Sequence, residues 1–408
     1  MPPPRLELDR RTLRAMAIAF VLLAALTVHR LFFAAPPGPS PDVLVLDGDT
    51  MGTTWEVRIA GPDLDEALRE QARAEIDKRL AEIDLWFSTW RPDSEIARFN
   101  ASRDHEPFPV SSPTAELVAY AVELCKWSGG AFDVTVAPLV ARWGFGHGAR
   151  LDDPPSEAEI QDYLDHTGAE IIHVGRGNPK SGGFLHKMDP HVEIDLSAIA
   201  PGYAADHVAV GLFALGREDF LVEIGGEIFA AGQRPDGRPW RVAIEEPADE
   251  PTDGAHRIHA VVELSNQGLA TSGDYRAYYL EDGRRMSHTI DPRTGRPIES
   301  GVASATVIAP TAAQADGFAT AVMVLGAKEG LALAEAWRLG AMTLTRRADG
   351  TLVEERNALY PEPLDRAALA TPDVGPDRAG PDRAGPDEAG PGDAGSTPVP
   401  VPAEGVQP

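Results

Sequence analysis

The stretch that most constrains this chain is residues 193–206, EIDLSAIAPGYAAD, because it joins two kinds of secondary structure without a loop. Alternating apolar residues predict a strand over 191–196, and Pro201 then occupies a position typical of the first turn of a helix. Such a junction leaves backbone N–H groups free at the partly positive helix start, where an anion is favoured. With Asp195 at its edge, the junction could hold a phosphate together with Mg²⁺, although an ordinary strand-to-helix turn has the same pattern.

The order of the predicted elements favours an α+β fold. Strands come in consecutive runs instead of alternating strictly with helices. Apolar residues at every third or fourth position predict helices, and alternation predicts strands. The predicted helices lie at 64–87, between 111 and 130, at 156–166, from 201 onward, at 311–325 and at 328–339. The predicted strands lie at 54–59, 171–174, 191–196, 219–224, 227–231, 239–245, 257–264, 302–309, 341–345 and 351–355.

Both ends of the 408-residue chain differ in composition from its middle. Arginines precede an uncharged run over 15–28, which is typical of an export signal and predicts that the bulk of the chain faces outward. No small-residue cleavage site follows the run, so an uncleaved anchor is favoured over a cleaved signal. The last part repeats Ala, Gly, Pro, Asp and Arg, a composition that cannot bury apolar surface. The sequence thus predicts an anchor and linker over 1–40, one folded domain over 41–365 and a disordered tail over 366–408.

Charge and cysteine content argue against some classes of function and of site. The net charge of −26 argues against a nucleic-acid partner. The single cysteine, Cys125, cannot form an internal disulfide, and its place in a helical apolar pattern predicts a core side chain. The sequence has no Cys/His cluster with the spacing of a zinc site.

Two glycine-containing stretches could approach a ligand closely. In 51–54 (MGTT) a glycine precedes a strand, so either close backbone approach of a ligand or a plain turn explains it. Glycine and aromatic residues are dense in 129–146, GGAFDVTVAPLVARWGFG. These residues could line a site for a flat ligand ring. Alternatively, the end of a helix followed by a core strand explains much of the pattern.

Two further stretches carry polar chemistry. The stretches 271–276 (TSGDYR) and 285–297 follow each other, and the second contains His288. A neighbouring carboxylate could orient His288 as a base. Alternatively, His288 is a hydrogen-bonded histidine of a turn. In 315–320 (ADGFAT), Asp316 and Thr320 are four residues apart and would share one helix face. A carboxylate and a hydroxyl suit Mg²⁺, although a capping or solvated aspartate is equally compatible.

Taken together and in this order, these motifs resemble the FAD:protein FMN transferases, the ApbE family of exported flavin transferases. The resemblance covers about residues 45–360. It implies an α+β catalytic domain that binds FAD with Mg²⁺ at the pyrophosphate. The motifs that carry it are GGAFDVTVAPLVARWGFG, DLSAIAPGYAAD, TSGDYR, SHTIDPRTGRP and ADGFAT.

The resemblance also implies roles for single residues. His288 matches the likely base, and Asp316, Thr320 and the backbone carbonyl of Ala198 match the metal ligands. At Pro201 the family usually has a charged residue, often Lys, in contact with the flavin nucleotide. Proline fits the helix start but supplies no charged contact. The other positions that match FAD contacts are Met51, Trp90, Ala131, Phe132, Asp133, Asp195 and Ile290.

The implied reaction moves FMN from FAD to a threonine hydroxyl of an acceptor protein and releases AMP. The family's acceptors carry a Ser/Thr-Ala-Thr type motif in exported or membrane electron-transfer subunits, of the Rnf or Nqr type or related to them. An enzyme anchored in the bacterial inner membrane and facing the periplasm would meet them. One alternative is a Mg²⁺-dependent FAD pyrophosphatase that yields FMN and AMP. Another is a non-catalytic FAD-binding or storage protein, which would have no need of His288 as a base.

Overall fold

The computed structural model describes residues 42–145, 153–175, 182–247, 257–275, 278–281, 284–347, 349–364 and 373. The predicted anchor over 1–40 lies outside the described residues, and so does the predicted tail over 366–408 apart from Asp373. Gly146 and Arg276, each the last residue of a motif, also lie outside them. The division into anchor, domain and tail therefore stays a prediction.

The described residues form a mixed array of helices and strands. The helices are α1 (Glu66–Phe87), α2 (Glu95–Ala101), α3 (Ser112–Trp127), α4 (Ala137–Arg142), α5 (Glu157–Asp165), α6 (Ala200–Ala214) and α7 (Ala312–Ala336). The strands are β1 (Val43–Thr50), β2 (Thr53–Ala60), β3 (Phe108–Val110), β4 (Ile172–Gly175), β5 (Gly183–Lys187), β6 (Phe220–Ile224), β7 (Glu227–Ala231), β8 (Trp240–Glu245), β9 (Ile258–Leu264), β10 (Gln267–Gly273), β11 (Tyr278–Glu281), β12 (Arg284–Ser287), β13 (Ile290–Asp291), β14 (Arg296–Pro297), β15 (Val302–Ala309), β16 (Gly340–Arg346) and β17 (Leu352–Arg356).

Within this part of the chain, eight strands build one antiparallel sheet in the order β1-β2-β6-β7-β10-β15-β16-β17. A smaller sheet has the order β3-β5-β4, and β8–β9, β11–β12 and β13–β14 are separate strand pairs. An antiparallel sheet combined with helices confirms the α+β prediction.

Both faces of the large sheet are covered. Val307 belongs to the core shared with α1, α6 and α7, whereas the next residue, Ile308, belongs to a second core that contains Trp240 of β8. This alternation follows from the two-residue period of a strand. Because both faces are buried, β15 is buried at every position. Helix α7 is long and apolar enough to cross a membrane, but about half of it is buried in this core.

Local chemistry explains most of the helix boundaries. The Ser111 side chain accepts a hydrogen bond from the Thr114 N–H at the start of α3, and Gly129 and Gly130 follow its end with positive φ angles. Gly326, with a φ of 80°, interrupts α7 close to the predicted break between two helices.

Two predictions about 129–146 and 191–196 are wrong. The expected core strand within 129–146 is instead a loop followed by the short helix α4. The expected strand over 191–196 is extended and apolar but pairs with no described strand. At Ile194 its backbone is satisfied by the Asn100 side chain, which donates to the Ile194 carbonyl and accepts from the Ile194 N–H, each at 2.8 Å. An amide side chain thus replaces a neighbouring strand.

Candidate active site

The start of α6 faces a buried carboxylate on α7. The Gly202 N–H donates to Oδ2 of Asp316 at 3.0 Å, and Asp316 is only 5% exposed. The helices approach so closely that a Cβ on Gly202 would lie 2.4 Å from the Ala312 carbonyl oxygen. Glycine is therefore required here for the close approach. The predicted helix start at Pro201 is correct, since this residue lies in the first turn of α6.

A second contact fixes α6 to the start of α7. Both carboxylate oxygens of Asp206 accept from this start, Oδ1 from the Ala312 N–H at 2.8 Å and Oδ2 from the Ala313 N–H at 2.9 Å. These N–H groups have no partner within the helix, so Asp206 satisfies two of them. Burial raises the pKa of Asp206 to about 6.

Two further segments approach α7 near Asp316. Thr320 lies one turn further along α7, and its Oγ1 is 3.3 Å from Oγ of Ser272 on β10. Ala198 lies in the turn before α6, in which the Leu196 carbonyl accepts from the Ala200 N–H at 2.7 Å. The Ile199 side chain in this turn would lie 3.3 Å from a Cβ on Gly317. Carboxylate, hydroxyl and carbonyl oxygens are the ligands that Mg²⁺ prefers, so these residues fit the ion.

Asp195 connects this turn to the loop after α3. Its Oδ1 accepts from the Ser197 N–H at 2.8 Å, and its own N–H donates to the Val134 carbonyl at 2.8 Å. The carboxylate is half-buried. It therefore lies at the edge of the helix start, as its position in the sequence predicted.

Asp133 has an inward-facing position in the same loop. Its Oδ1 accepts from the N–H and the hydroxyl of Thr135, at 2.8 and 2.6 Å. Its Oδ2 accepts from the Ala169 N–H at 3.0 Å and lies 3.4 Å from Sγ of Cys125. Burial raises the pKa of Asp133, and burial together with Asp133 raises the pKa of Cys125 to about 12. The prediction that Cys125 is a core side chain is confirmed.

The other predicted FAD contacts differ in exposure. Ala131 and Phe132 are each 1% exposed, whereas Trp90 is 72% exposed. Met51 is 39% exposed in the two-residue turn between β1 and β2, where its φ of 48° and that of Gly52, 77°, suit a tight hairpin. The turn interpretation of this stretch therefore holds in the structure.

His288 follows β12 directly and is half-buried. Its ring lies edge-on to Phe145 with the centroids 6.3 Å apart, and Phe145 stacks on Tyr279 at 5.3 Å. The preceding residue, Ser287, is only 2% exposed. Ile290 is 4% exposed and belongs to a small apolar cluster with residues of α4 and α5.

Direct contacts join the five motifs. Within the 129–146 motif, the Val134 carbonyl accepts from the Asp195 N–H. Trp143 of the same motif contacts 293–295, because its Nε1–H donates to the Gly295 carbonyl at 2.8 Å. A Cβ on Gly130 would also lie 3.5 Å from Cγ of Arg293. The remaining links are Gly202 with Asp316 and Ser272 with Thr320.

Sequence reasoning missed three residues that shape this site. Asn100 holds the segment before α6 but lies 94 residues from Ile194, so no local pattern indicated it. Ser272 lies inside the TSGDYR motif, which was the available signal. Gly202 follows the helix-starting proline, where its close approach to α7 depends on a distant segment.

Comparisons with known proteins agree with this geometry. The ApbE family model matches residues 51–343. The FAD:protein FMN transferase of Klebsiella pneumoniae is 39% identical over 315 residues, which is 77% of this chain and 88% of that protein. The protein of the same name from Vibrio cholerae is 42% identical over 306 residues, which is 75% of this chain and 88% of that protein.

Solved structures give the same result. The flavin transferase ApbE from Vibrio cholerae superimposes with a TM-score of 0.69 at 40% identity, covering 78% of this chain and 98% of that one. The apo flavinyl transferase ApbE from Pseudomonas stutzeri has a TM-score of 0.67 at 40% identity, covering 78% and 95%. The resemblance seen in the motifs is confirmed, and the chain belongs to the ApbE family.

Proposed function

We propose that this chain is an FAD:protein FMN transferase that moves FMN from FAD to a threonine hydroxyl of another protein and releases AMP. The observation that carries the proposal is the set of contacts that joins five separate motifs around the start of α6. The names of the relatives at about 39% identity support the same activity.

The chain's own groups suit a dinucleotide substrate. The start of α6 offers N–H groups and a partial positive charge to phosphate oxygens. Asp316, Thr320 and the carbonyl of Ala198 would hold Mg²⁺ beside the pyrophosphate. When bound, the ion would neutralise phosphate charge that builds up during the reaction. The predicted contacts of FAD with the loop around Phe132, with Asp195 and with Ile290 belong to the same proposal.

The proposed step is a substitution at the FMN-side phosphorus of FAD. The threonine Oγ forms a bond to this phosphorus, the bridging P–O bond breaks, and AMP leaves with the bridging oxygen. His288 accepts the threonine proton. Since such chemistry needs little covalent help, positioning of the two substrates supplies most of the rate. Phe145, which lies edge-on to His288, and Tyr279, which stacks on Phe145, would restrict water near this base.

The acceptor and the location complete the proposal. We expect the acceptor to carry a Ser/Thr-Ala-Thr type motif and to be an electron-transfer subunit of the Rnf or Nqr type or a relative. The N-terminal segment would anchor the enzyme in the bacterial inner membrane with its domain in the periplasm. The charge and hydropathy pattern of residues 1–40 supports this location.

Product analysis separates this function from its alternatives. The full chain is mixed with FAD, Mg²⁺ and an acceptor domain that bears the motif, and flavin and nucleotide products are quantified. Transfer predicts fluorescent flavin that stays on the acceptor in a denaturing gel, with one AMP per flavin. Free FMN and AMP without labelled acceptor would establish a pyrophosphatase instead, and bound but unchanged FAD would establish storage.

A histidine variant tests the assigned base. In His288→Asn we expect the transfer rate to fall about 10²–10⁴-fold, the usual contribution of a general base, with FAD affinity retained. His173→Asn, a change of an exposed histidine on β4, is the matched control and should leave the rate unchanged. Equal rates for His288→Asn and the wild type would refute the role of His288.

A further inference from the structure

Three potential metal ligands converge on the surface next to α5. The ligand atoms of His166, Asp189 and His191 all lie within 4.8 Å of one another. Nδ1 of His166 is 2.5 Å from Oδ2 of Asp189, and Nδ1 of His191 is 3.2 Å from Oδ1 of the same carboxylate. The two imidazole rings are 4.9 Å apart. One carboxylate therefore lies between two imidazoles whose Nδ1 atoms both point toward it.

Two separate segments produce this arrangement. His166 is the C-cap residue directly after α5, whereas Asp189 and His191 follow β5. The Met188 N–H donates to the Ile171 carbonyl at 2.8 Å, which holds the second segment against the first. The Asp189 carboxylate also accepts from the His191 N–H at 2.8 Å, so its orientation is fixed by the backbone. Since 23 residues separate His166 from Asp189, sequence spacing did not reveal the cluster.

We propose that His166, Asp189 and His191 bind a transition-metal dication, with Zn²⁺ as the ion that fits best. Two imidazole nitrogens and one carboxylate oxygen are a common ligand set for zinc. Ligand atoms at about 2.0–2.1 Å from a tetrahedral zinc lie roughly 3.4 Å from each other. The two nitrogen-to-oxygen separations, 2.5 and 3.2 Å, are shorter than this value, so small rotations of the imidazoles away from the carboxylate would bring all three atoms to the spacing of ligands on one ion. Water would occupy the fourth position, because the His191 side chain is 64% exposed.

This site differs in chemistry and place from the oxygen-lined site at Asp316. Imidazole nitrogen favours zinc, nickel or copper, whereas carboxylate and hydroxyl oxygen favour magnesium. His191 lies four residues before Asp195 in the chain. A zinc ion would therefore tie the end of α5 to the segment that leads into the active site.

Calorimetry with metal-stripped full-length protein tests the proposal. ZnCl₂ is titrated in the presence of millimolar Mg²⁺, which occupies oxygen-only sites. We expect one zinc per wild-type chain at this site and an affinity at least about tenfold weaker in His166→Ala and in His191→Ala, since even outer-shell losses cost that much. The matched control His173→Ala removes an exposed histidine outside the cluster and should bind zinc like the wild type.

Two further readouts separate metal binding from a mere ion pair. Zinc should raise the Tm of the wild type and of His173→Ala but not that of the His166→Ala/His191→Ala double variant. Co²⁺ should give the visible absorption bands of a four-coordinate ion in the wild type and in His173→Ala, but not in the double variant. Absence of zinc uptake by the wild type, or equal uptake by the double variant, would show that the cluster is a hydrogen-bonded ion pair only. The Tm of each variant without metal reports whether it is folded.

Discussion

Asp133 and Asp316 are buried carboxylates of two different motifs, and their surroundings differ. Asp133 accepts hydrogen bonds from Thr135 and Ala169 inside a loop junction, and both of its oxygens face protein donors. Asp316 lies where the start of α6 meets the face of α7 that also carries Thr320. Burial is nearly the same, at 9% and 5% exposure.

Because two almost equally buried carboxylates have such different partners, burial alone does not identify a ligand-binding carboxylate. The groups around it decide whether the carboxylate stabilises the fold or serves a substrate. Asp133 is surrounded by donors of its own fold, which agrees with a structural role. Asp316 accepts from a helix start and lies one turn before Thr320, whose hydroxyl contacts that of Ser272; these groups suit a phosphate and a cation. The predicted FAD contact at Asp133 would then act through the loop that this carboxylate holds.

Among the tests of this comparison, Asp316→Asn should have the largest effect. We expect the transfer rate to fall about 10²–10³-fold, comparable to the loss of one electrostatic contact to a transition state. The Tm should change little, because the amide oxygen still accepts from the Gly202 N–H. Initial rates as a function of Mg²⁺ concentration, combined with a thermal melt, measure both. A rate close to that of the wild type would contradict the role of Asp316.

Asp133→Ala should instead lower the free energy of unfolding. Removing the carboxylate leaves the Thr135 and Ala169 N–H groups buried without their acceptor, at a cost of about 2–4 kcal/mol in total. Urea unfolding measures this difference. Asp133→Asn, which keeps one acceptor oxygen, should lose less. If Asp133→Ala were as stable as the wild type but inactive, the contrast with Asp316 would be reversed.

Gly202→Ala tests whether the close approach of α6 and α7 is needed for both stability and activity. Its Cβ would lie 2.4 Å from the Ala312 carbonyl oxygen, so the helices must move apart, at a cost of about 1–3 kcal/mol. Because the displaced residues include Asp316, activity should fall as well. Gly211→Ala, in the same helix, is the control: the nearest atoms to its Cβ, from 2.8 Å, would belong to the side chains of Glu75 and Arg79 and not to backbone. Thermal melts and rates should separate the two variants.

Asn100→Ala tests the segment that precedes α6. Loss of two hydrogen bonds to Ile194 should cost about 1–2 kcal/mol in unfolding free energy. Glu193→Gln, which changes only the exposed pair with Arg103, should cost nearly nothing. Urea unfolding of both variants makes the comparison, and equal stabilities would show that Asn100 does not hold the segment.

The last prediction concerns the pH dependence of stability. Burial raises the pKa of Asp206 from 3.8 to about 6, so the folded state binds this proton more tightly than the unfolded state does. The wild type should therefore lose stability relative to Asp206→Asn as the pH rises from about 4 to about 6. Unfolding free energies of both proteins across this range measure the difference, and parallel curves would contradict the raised pKa.

Local patterns predicted the elements whose stabilising partners are near in sequence. The long helix α1 shows apolar residues at helical spacing, and α3 begins directly after Ser111, whose side chain caps it. The segment 191–196 has the apolar alternation of a strand, yet the backbone of Ile194 bonds to the Asn100 side chain and the Asp195 N–H to the Val134 carbonyl. No pattern within the segment records such a distant partner, so the strand prediction failed there.

The site shows the same limit. The four-residue spacing of Asp316 and Thr320 places both on one helix, as predicted, because the spacing is a property of the helix itself. The inward orientation of Asp133 depends on the Ala169 N–H, 36 residues away, and was not predictable. The cluster of His166, Asp189 and His191 likewise arises only when two distant segments pack together.

The most direct test of the account is a diffraction experiment on crystals grown with FAD and Mn²⁺, a substitute for Mg²⁺ with measurable anomalous scattering. The account predicts an anomalous peak in contact with Asp316, Thr320 and the Ala198 carbonyl, beside the FAD pyrophosphate at the start of α6. A peak elsewhere, with FAD bound away from Asp316 and His288, would contradict it.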